Sequence, residues 1–442
     1  MDAVCQAQEG VVAVQKAVGR GLTVATELLA RLEQTLPRGV GNALAAVVEV
    51  AEGEGRTLYL VGGSVRDLAL GRGQLDLDVV AEGEVQSLAA AAASSLGGRC
   101  VAHHEFGTVT LETDEARVDL AMARTETYTR PGALPRVHPA SIREDLARRD
   151  FTINALALAL CGSERGRVLD PFGGWADLRR GLVRVLHPRS LIDDATRILR
   201  AVRYAVRLGF RLESETLALL RRDVSYLGTI SGARVRQELI RLLAEEHPEA
   251  ALLRCQALGV LAAVHPALRF DRRLAAAFRA ARRREEASLN SELYLSLLGT
   301  LLSPDEADAV AHRLSLSARE RRVLEGAAAL GCVIDDLSQP RLRPSQAVAL
   351  LEPYPEASLR AWALAAPSSA VRRKLRLYLE RWRYVKPVLD GRALERLGVA
   401  RGPLMGETMR MLRAARLDGR VRDHEGEVAV VRRFLAERGR SS

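Results

Sequence analysis

Leu60-Val61-Gly62-Gly63-Ser64-Val65-Arg66-Asp67, followed by Asp76-Leu77-Asp78, is the stretch on which the reading of the fold turns. Thr57-Leu58-Tyr59-Leu60-Val61 has the short apolar run of a buried strand, closed by the two glycines. A strand ending in Gly62-Gly63 lets the backbone approach an anion, and the helix start behind it presents free N–H groups to phosphate oxygens. Arg66 adds a charge-assisted donor. Asp76 and Asp78 stand two apart in a second predicted strand, 75–80, so both carboxylates face one side. Two convergent carboxylates commonly hold Mg²⁺ beside a nucleotide's phosphates. Gly-Gly alone is often only a turn, and Asp-x-Asp alone a solvated strand face. Both in this order around an Arg-Asp helix start are hard to explain as structure.

Further strands are expected at 109–112 and 117–121, alternating with helical patterns, so 37–189 reads as a mixed α/β head behind a helical extension, 1–36. After His187-Pro188 the character changes. Residues 192–208 are amphipathic and Arg-rich, and the remainder is rich in helix-favouring Ala, Leu, Arg and Glu, with neither a strong strand nor a fixed-period repeat. The fold class is therefore α+β: a head with a small mixed sheet, a helical neck over 190–265, and a helical body and tail over 266–442.

At 442 residues the chain is long for one core. Its 48% apolar and 27% charged composition is that of a globular protein. Lys and Arg number 65 against 55 Asp and Glu, so the net charge is 65 − 55 = +10, which favours an anionic partner. Cys5, Cys100, Cys161, Cys255 and Cys332 are scattered, odd in number and form no CxxC pair, which argues against a disulfide framework or a Cys-type zinc site. Acidic and polar residues interrupt the first apolar stretch, unlike a signal peptide, and no uncharged run spans a bilayer. A cytoplasmic location is expected.

Arg148-Arg149-Asp150-Phe151-Thr152-Ile153-Asn154-Ala155 offers two phosphate donors and one acceptor for ribose hydroxyls. Taken alone it reads equally as a helix cap with a solvated face. The glycine and Asp-x-Asp segment resembles the nucleotidyltransferase superfamily that includes DNA polymerase β. With Arg148-Arg149-Asp150 added, the chain resembles the class II tRNA nucleotidyltransferase and bacterial poly(A) polymerase family. Three more segments fit that resemblance in order. Asp170-Pro171-Phe172-Gly173-Gly174-Trp175 is similar to the hinge between head and neck, Asp193-Asp194-Ala195-Thr196-Arg197 to the base-reading motif, and Ala233-Arg234-Val235-Arg236-Gln237-Glu238 to the helix that supports it. The resemblance covers roughly 37–261 and continues loosely into the tail at Leu417-Asp418-Gly419.

The resemblance implies a template-independent enzyme that adds C and A to tRNA 3′ ends from CTP and ATP with Mg²⁺, releasing pyrophosphate. It assigns Asp76 and Asp78 to catalysis and metal, with Asp119 as a third acidic ligand or simply a solvent-facing strand residue. It assigns Gly62, Gly63, Arg66, Arg149, Asp150, Asn154, Asp194, Arg197, Arg200 and Arg203 to the nucleotide. Asp194 and Arg197 lie three apart on a predicted helix and so share a face. A carboxylate accepts and a guanidinium donates, which complements the amine and ring-nitrogen edge of cytosine and adenine and mismatches uracil and guanine. Asp193 stands where the family usually has Glu, and Ala195 where it often has Pro.

The segment 125–143 resembles the family's flexible loop but is short, which keeps CC-only and A-only addition open beside poly(A) polymerase activity and a non-catalytic RNA binder. His103-His104, followed by Glu105, have no third His nearby and no known ligand spacing and read as loop residues, and the missing His-Asp dipeptide argues against a fused phosphohydrolase domain. Arg282-Arg283-Arg284 and Arg372-Arg373-Lys374, with Arg376, Trp382 and Tyr384 near the latter, are either tRNA backbone contacts or a solvated Arg-rich face. The expected partners are tRNA, CTP and ATP, no membrane, and a monomer or homodimer.

Overall fold

The computed structural model describes residues 27–72, 77–103, 107–127, 136–283 and 291–439. Two compact units account for it: one runs to His247 and includes 257–263, and the other holds 248–256 and the chain from Val264.

The first unit opens with helices α1 (Leu28–Thr35) and α2 (Arg38–Gly53) and is built on a seven-stranded sheet. Its strands are β1 (Leu58–Val61), β2 (Asp78–Ala81), β3 (Arg99–His103), β4 (Thr108–Glu112), β5 (Arg117–Met122), and then, after a separate hairpin β6–β7 (Arg124–Thr127 and Arg136–Pro139), β8 (Ala157–Ala159) and β9 (Val168–Leu169), in the order β3-β4-β5-β2-β1-β8-β9. β2 and β5 run parallel, while β1 is antiparallel to both β2 and β8. Leu58, Leu60 and Val61 are buried and Tyr59 half-buried, which fits a central strand covered on both sides. In β5, on the far side of β2, the pattern alternates, with Val118 and Leu120 buried and Arg117 and Asp119 exposed. Helix α2 and helix α3 of the sheet covering, Gln86–Leu96, pack on each other and on strands β3 to β5. On the other side Val61, Val80 and Ala157 pack with Ile142 and Leu146, and the row of Asp78 and Asp119 lies on that same face.

Strand β2 begins at Asp78; Leu75 and Asp76 of the predicted strand lie outside the described residues, as do 1–26 of the N-terminal extension, Cys5, His104, 128–135 of the short loop, and Arg284. One short strand follows His187. Arg211–Leu212 pairs in parallel with Leu182–Val183, a two-residue ladder too short to leave a periodic signal.

Beyond the sheet, helix α4 (Ser190–Asp193) gives way at Asp194 and Ala195 to α5 (Thr196–Leu208), against which α6 (Gly232–Leu243) packs. The second unit has only helices among its described residues. One of its cores gathers Leu330, Leu337, Leu351, Trp362, Val371 and Leu375, and another gathers Leu389, Leu394, Leu412 and Val431. Among the described residues no helix is long and apolar enough to cross a membrane.

Candidate nucleotide site

A cavity of about 1040 Å³ opens in the first unit between the polar side of the sheet and helix α5. Gly62 sits at its start with φ +69° and ψ −127°, a conformation open to glycine and little else. A β-carbon there would collide with the Arg149 guanidinium. Gly63 then starts the short helix Gly63–Ala69, whose Arg66 is only 2% exposed. Arg66 makes a two-pronged ion pair with Asp67 at 2.9 and 2.8 Å, donates to Asn154 Oδ1, and lies 5.0 Å over the Tyr204 ring. A buried guanidinium needs such partners.

Strand register sets the acidic wall. Thr110 pairs across from Asp119 on β5, and Asp119 across from Asp78 on the parallel β2, so all three stand in one row that lines the cavity. Thr110 Oγ1 donates to Asp119 at 2.6 Å, and Arg117 lies 3.7 Å from the same carboxylate. Asp78 and Asp119 thus offer oxygen donors side by side, the donor type that Mg²⁺ takes. Among the described residues no group of three acidic, His or Cys side chains forms a metal cluster, and Asp76 is outside them.

Arg148 and Arg149 follow a six-residue helix, Ile142–Ala147, opened by a Ser141–Glu144 capping box. Asp145 on that helix is fully buried and holds both arginines, Arg148 at 2.7 Å and Arg149 at 2.9 Å. Burial pushes the Asp145 carboxyl up, but the Arg149 and Arg148 guanidiniums outweigh it and hold it below the usual range. Glu126 takes the other side of Arg148 at 2.6 Å. Asp145 is a positioning residue that the sequence motifs do not single out. Its spacing of three and four from the two arginines on a helix is the signal that could have found it.

Asp150 accepts from Asn154 Nδ2 and from its neighbour Phe151 N at 2.9 Å, and from Arg200 at 2.8 and 2.6 Å. Burial raises this carboxyl, and the Arg200 charge with the Asn154 bond more than reverses that, bringing it down to about 2. Arg200 in turn lies 3.6 Å from Glu238 of α6, and Arg203 reaches Glu238 and Glu245 at 3.5 and 3.1 Å. Arg203 also stacks at 4.8 Å on Tyr204, whose ring meets Phe151 edge-on at 5.8 Å.

The placement of Asp194 and Arg197 on one helix is corrected. Asp194 is extended, φ −138° and ψ 98°, between two helices. Its Oδ1 accepts from Thr196 N and Oγ1 at 3.0 and 2.6 Å and from Arg234 at 2.8 Å, so it caps the start of α5. Arg197 is on α5 and donates to Ser190 Oγ and to the Arg148 carbonyl, each at 2.6 Å. The two are not ion-paired to each other; both line the cavity, each fixed from behind. The hinge-like segment is tied locally: Asp170 accepts from Gly174 N and Trp175 N at 2.7 and 3.0 Å, and a β-carbon at Gly174 would strike the Thr152 carbonyl.

In the second unit the basic stretches divide. Arg372 donates to the Ala366 and Pro367 carbonyls, Lys374 to those of Leu337 and Gln339, and Arg282 pairs with Glu249 at 2.9 Å. Arg373 and Arg376 are exposed. Tyr384, 61% exposed, carries Arg383 on its face at 4.8 Å.

Residues 58–184 match the family model described as the poly A polymerase head domain, and 209–271 the one described as a probable RNA and SrmB-binding site of polymerase A. The chain is 31% identical to the A-adding tRNA nucleotidyltransferase of Halalkalibacterium halodurans over 92% of its own length and 96% of that protein's. To the A-adding tRNA nucleotidyltransferase of Geobacter sulfurreducens it is 33% identical over 91% of this chain, but it spans only about half of that longer relative, 48%. Other relatives are CC-adding and CCA-adding enzymes. The structure resembles that of the Thermotoga maritima CCA-adding enzyme in complex with tRNA, with a TM-score of 0.75 and 29% identity over 92% of this chain and 98% of that one.

Proposed function

This chain belongs to the tRNA nucleotidyltransferase family, and from that premise we propose that it transfers C and A nucleotides from CTP and ATP to the 3′ end of tRNA. The observation that carries the reading is the cavity itself, where Arg149 over Gly62, the acidic row of Asp78 and Asp119, and the pair Asp194 and Arg197 meet. In this reading Arg66 and Arg149 bind phosphate oxygens, and Asp150 with Asn154 holds the ribose. All three bonds to Asp194 end on Oδ1, which leaves Oδ2 to accept from the exocyclic amine of cytosine or adenine. The Arg197 N–H groups not engaged by Ser190 and Arg148 donate to the ring nitrogen beside it. The 3′ hydroxyl of tRNA attacks the α-phosphate in line, and pyrophosphate departs.

Asp78, Asp119 and Asp76 would hold Mg²⁺, which when bound lowers the energy of the attacking and leaving oxygens. The protein's own task is positioning: fixed guanidiniums and carboxylates meet the charge without reorganising. Exposed cations of the second unit, Arg373 and Arg376 among them, would meet the tRNA backbone. A cytoplasmic setting follows from the substrate.

A second reading, addition of the terminal A alone, is favoured by the full-length similarity to an A-adding relative. Incorporation of CTP and ATP, singly and together with Mg²⁺, into tRNAs ending before the first C, after one C and after CC tests both. Three nucleotides added support the lead reading. Addition only after CC assigns the chain to A addition. No incorporation by protein that still binds tRNA overturns the catalytic reading, and Asp78→Ala should abolish incorporation while keeping tRNA binding.

A further inference from the structure

We propose that Arg207 receives the terminal phosphate of the incoming nucleoside triphosphate. The inference rests on the nucleotide reading above and adds a residue to it.

Along α5, Arg197, Arg200, Tyr204 and Arg207 recur at intervals of three, four and three, and all four line the cavity. Ten helical residues rise about 15 Å, so the row runs the length of a nucleotide laid out from base to phosphate tail. One end of the row is Arg197, beside Asp194. The middle is Arg200, joined to Asp150. The far end is Arg207, beside Asp67 and the helix that starts after Gly62. With its base at Arg197 and its sugar at Asp150, a nucleotide lying along α5 brings its phosphate chain to Arg207.

The charges at that end call for an anion. Arg66 and Arg207 converge on one oxygen, Asp67 Oδ2, at 2.8 and 3.9 Å. Arg66 holds Asp67 with two short bonds, whereas Arg207 stands 3.9 Å from Asp67 and 4.0 Å from Glu245. Both separations exceed the roughly 2.7–2.9 Å of a charge-assisted bond. Glu245 makes its shorter contact with Arg203, at 3.1 Å. Arg72 joins the group by donating to the Arg207 carbonyl at 3.1 Å. Four guanidiniums, Arg66, Arg72, Arg203 and Arg207, therefore gather around Asp67 and Glu245. Arg207 has the most exposed side chain of the α5 arginines, 37%, so it is the one a ligand reaches without breaking a short ion pair.

Calorimetric titration of the full chain with ATP, ADP and AMP, at constant Mg²⁺, tests the assignment in wild type, Arg207→Ala and Arg207→Lys. The expected result is ATP affinity weakened about tenfold or more in Arg207→Ala, AMP affinity unchanged, and partial recovery in Arg207→Lys. Equal loss for all three nucleotides would mean a deformed site, and unchanged ATP affinity would mean no contact; either overturns the role of Arg207 alone. Should Arg207→Ala fail to fold, Arg207→Gln gives the same comparison, with the same outcomes. A wild-type chain that binds neither ATP nor, in a parallel titration, CTP instead overturns the nucleotide reading itself.

Discussion

The Arg149 guanidinium occupies the space that a β-carbon on residue 62 would need. Glycine at this point is thus a requirement of the second arginine motif as much as of the turn. Gly62→Ala must move Arg149 and also force an alanine to φ +69°. The expected outcome is a loss of about 1–3 kcal/mol in stability, read by urea denaturation, together with weaker CTP and ATP binding in titrations.

Asp145 anchors Arg148 and Arg149 from a fully buried position. Asp145→Ala leaves two guanidiniums without their common partner, and breaking a buried pair in this way costs about 3–5 kcal/mol. Asp145→Asn keeps the shape and one acceptor oxygen and should fold better. Its incorporation rate should still fall, because Arg149 loses its charged support. A rate equal to wild type in Asp145→Asn would show that Arg149 is positioned without it.

Base choice should follow the cap. Asp194→Ala removes both the acceptor for an exocyclic amine and the cap on Thr196. Loss of the cap costs about 1 kcal/mol. Preference for CTP and ATP over UTP and GTP, measured as a ratio of kcat/KM values, should fall by about tenfold or more. A preserved ratio would place discrimination elsewhere.

Acid should loosen the join between Asp150 and Arg200. The folded carboxyl lies near 2, below its ordinary value, so the fold favours the ionised form. The resulting contribution, about 2 kcal/mol, is complete above the ordinary carboxylate range and is lost as pH falls from about 4 through 2. The urea midpoint of wild type should decline more steeply across that window than that of Asp150→Asn. Parallel declines would contradict the coupling.

The basic stretch 372–376 should separate into two behaviours. Arg373→Ala and Arg376→Ala, at exposed positions, should weaken tRNA binding. Each should also flatten the plot of log affinity against log salt, by a slope of about one for every phosphate no longer neutralised. Arg372→Ala and Lys374→Ala instead free buried or half-buried carbonyls and should lower thermal stability. Filter binding over a salt series and thermal melts distinguish the two pairs.

Local sequence determined a good deal here. The run from Leu58 to Val61, the Gly-Gly turn, and strands at 108–112 and 117–122 were legible because strand periodicity and glycine punctuation are properties of a few adjacent residues. The helical character of the second half was legible for the same reason. Arg149, Asp150, Asp194 and Arg197 stood out by type and spacing. Only the tertiary structure decided that Asp119 stands beside Asp78, since strand register is set by pairing between distant segments. It also decided that the helix breaks at Asp194, where capping bonds to Thr196 and an ion pair with Arg234 outcompete continuation of the helix. And it turned Arg66 inward onto Asn154 and Arg200 onto Asp150. A guanidinium held away from water is stable only where acceptors reach it, and no local pattern in the chain records which distant ones will.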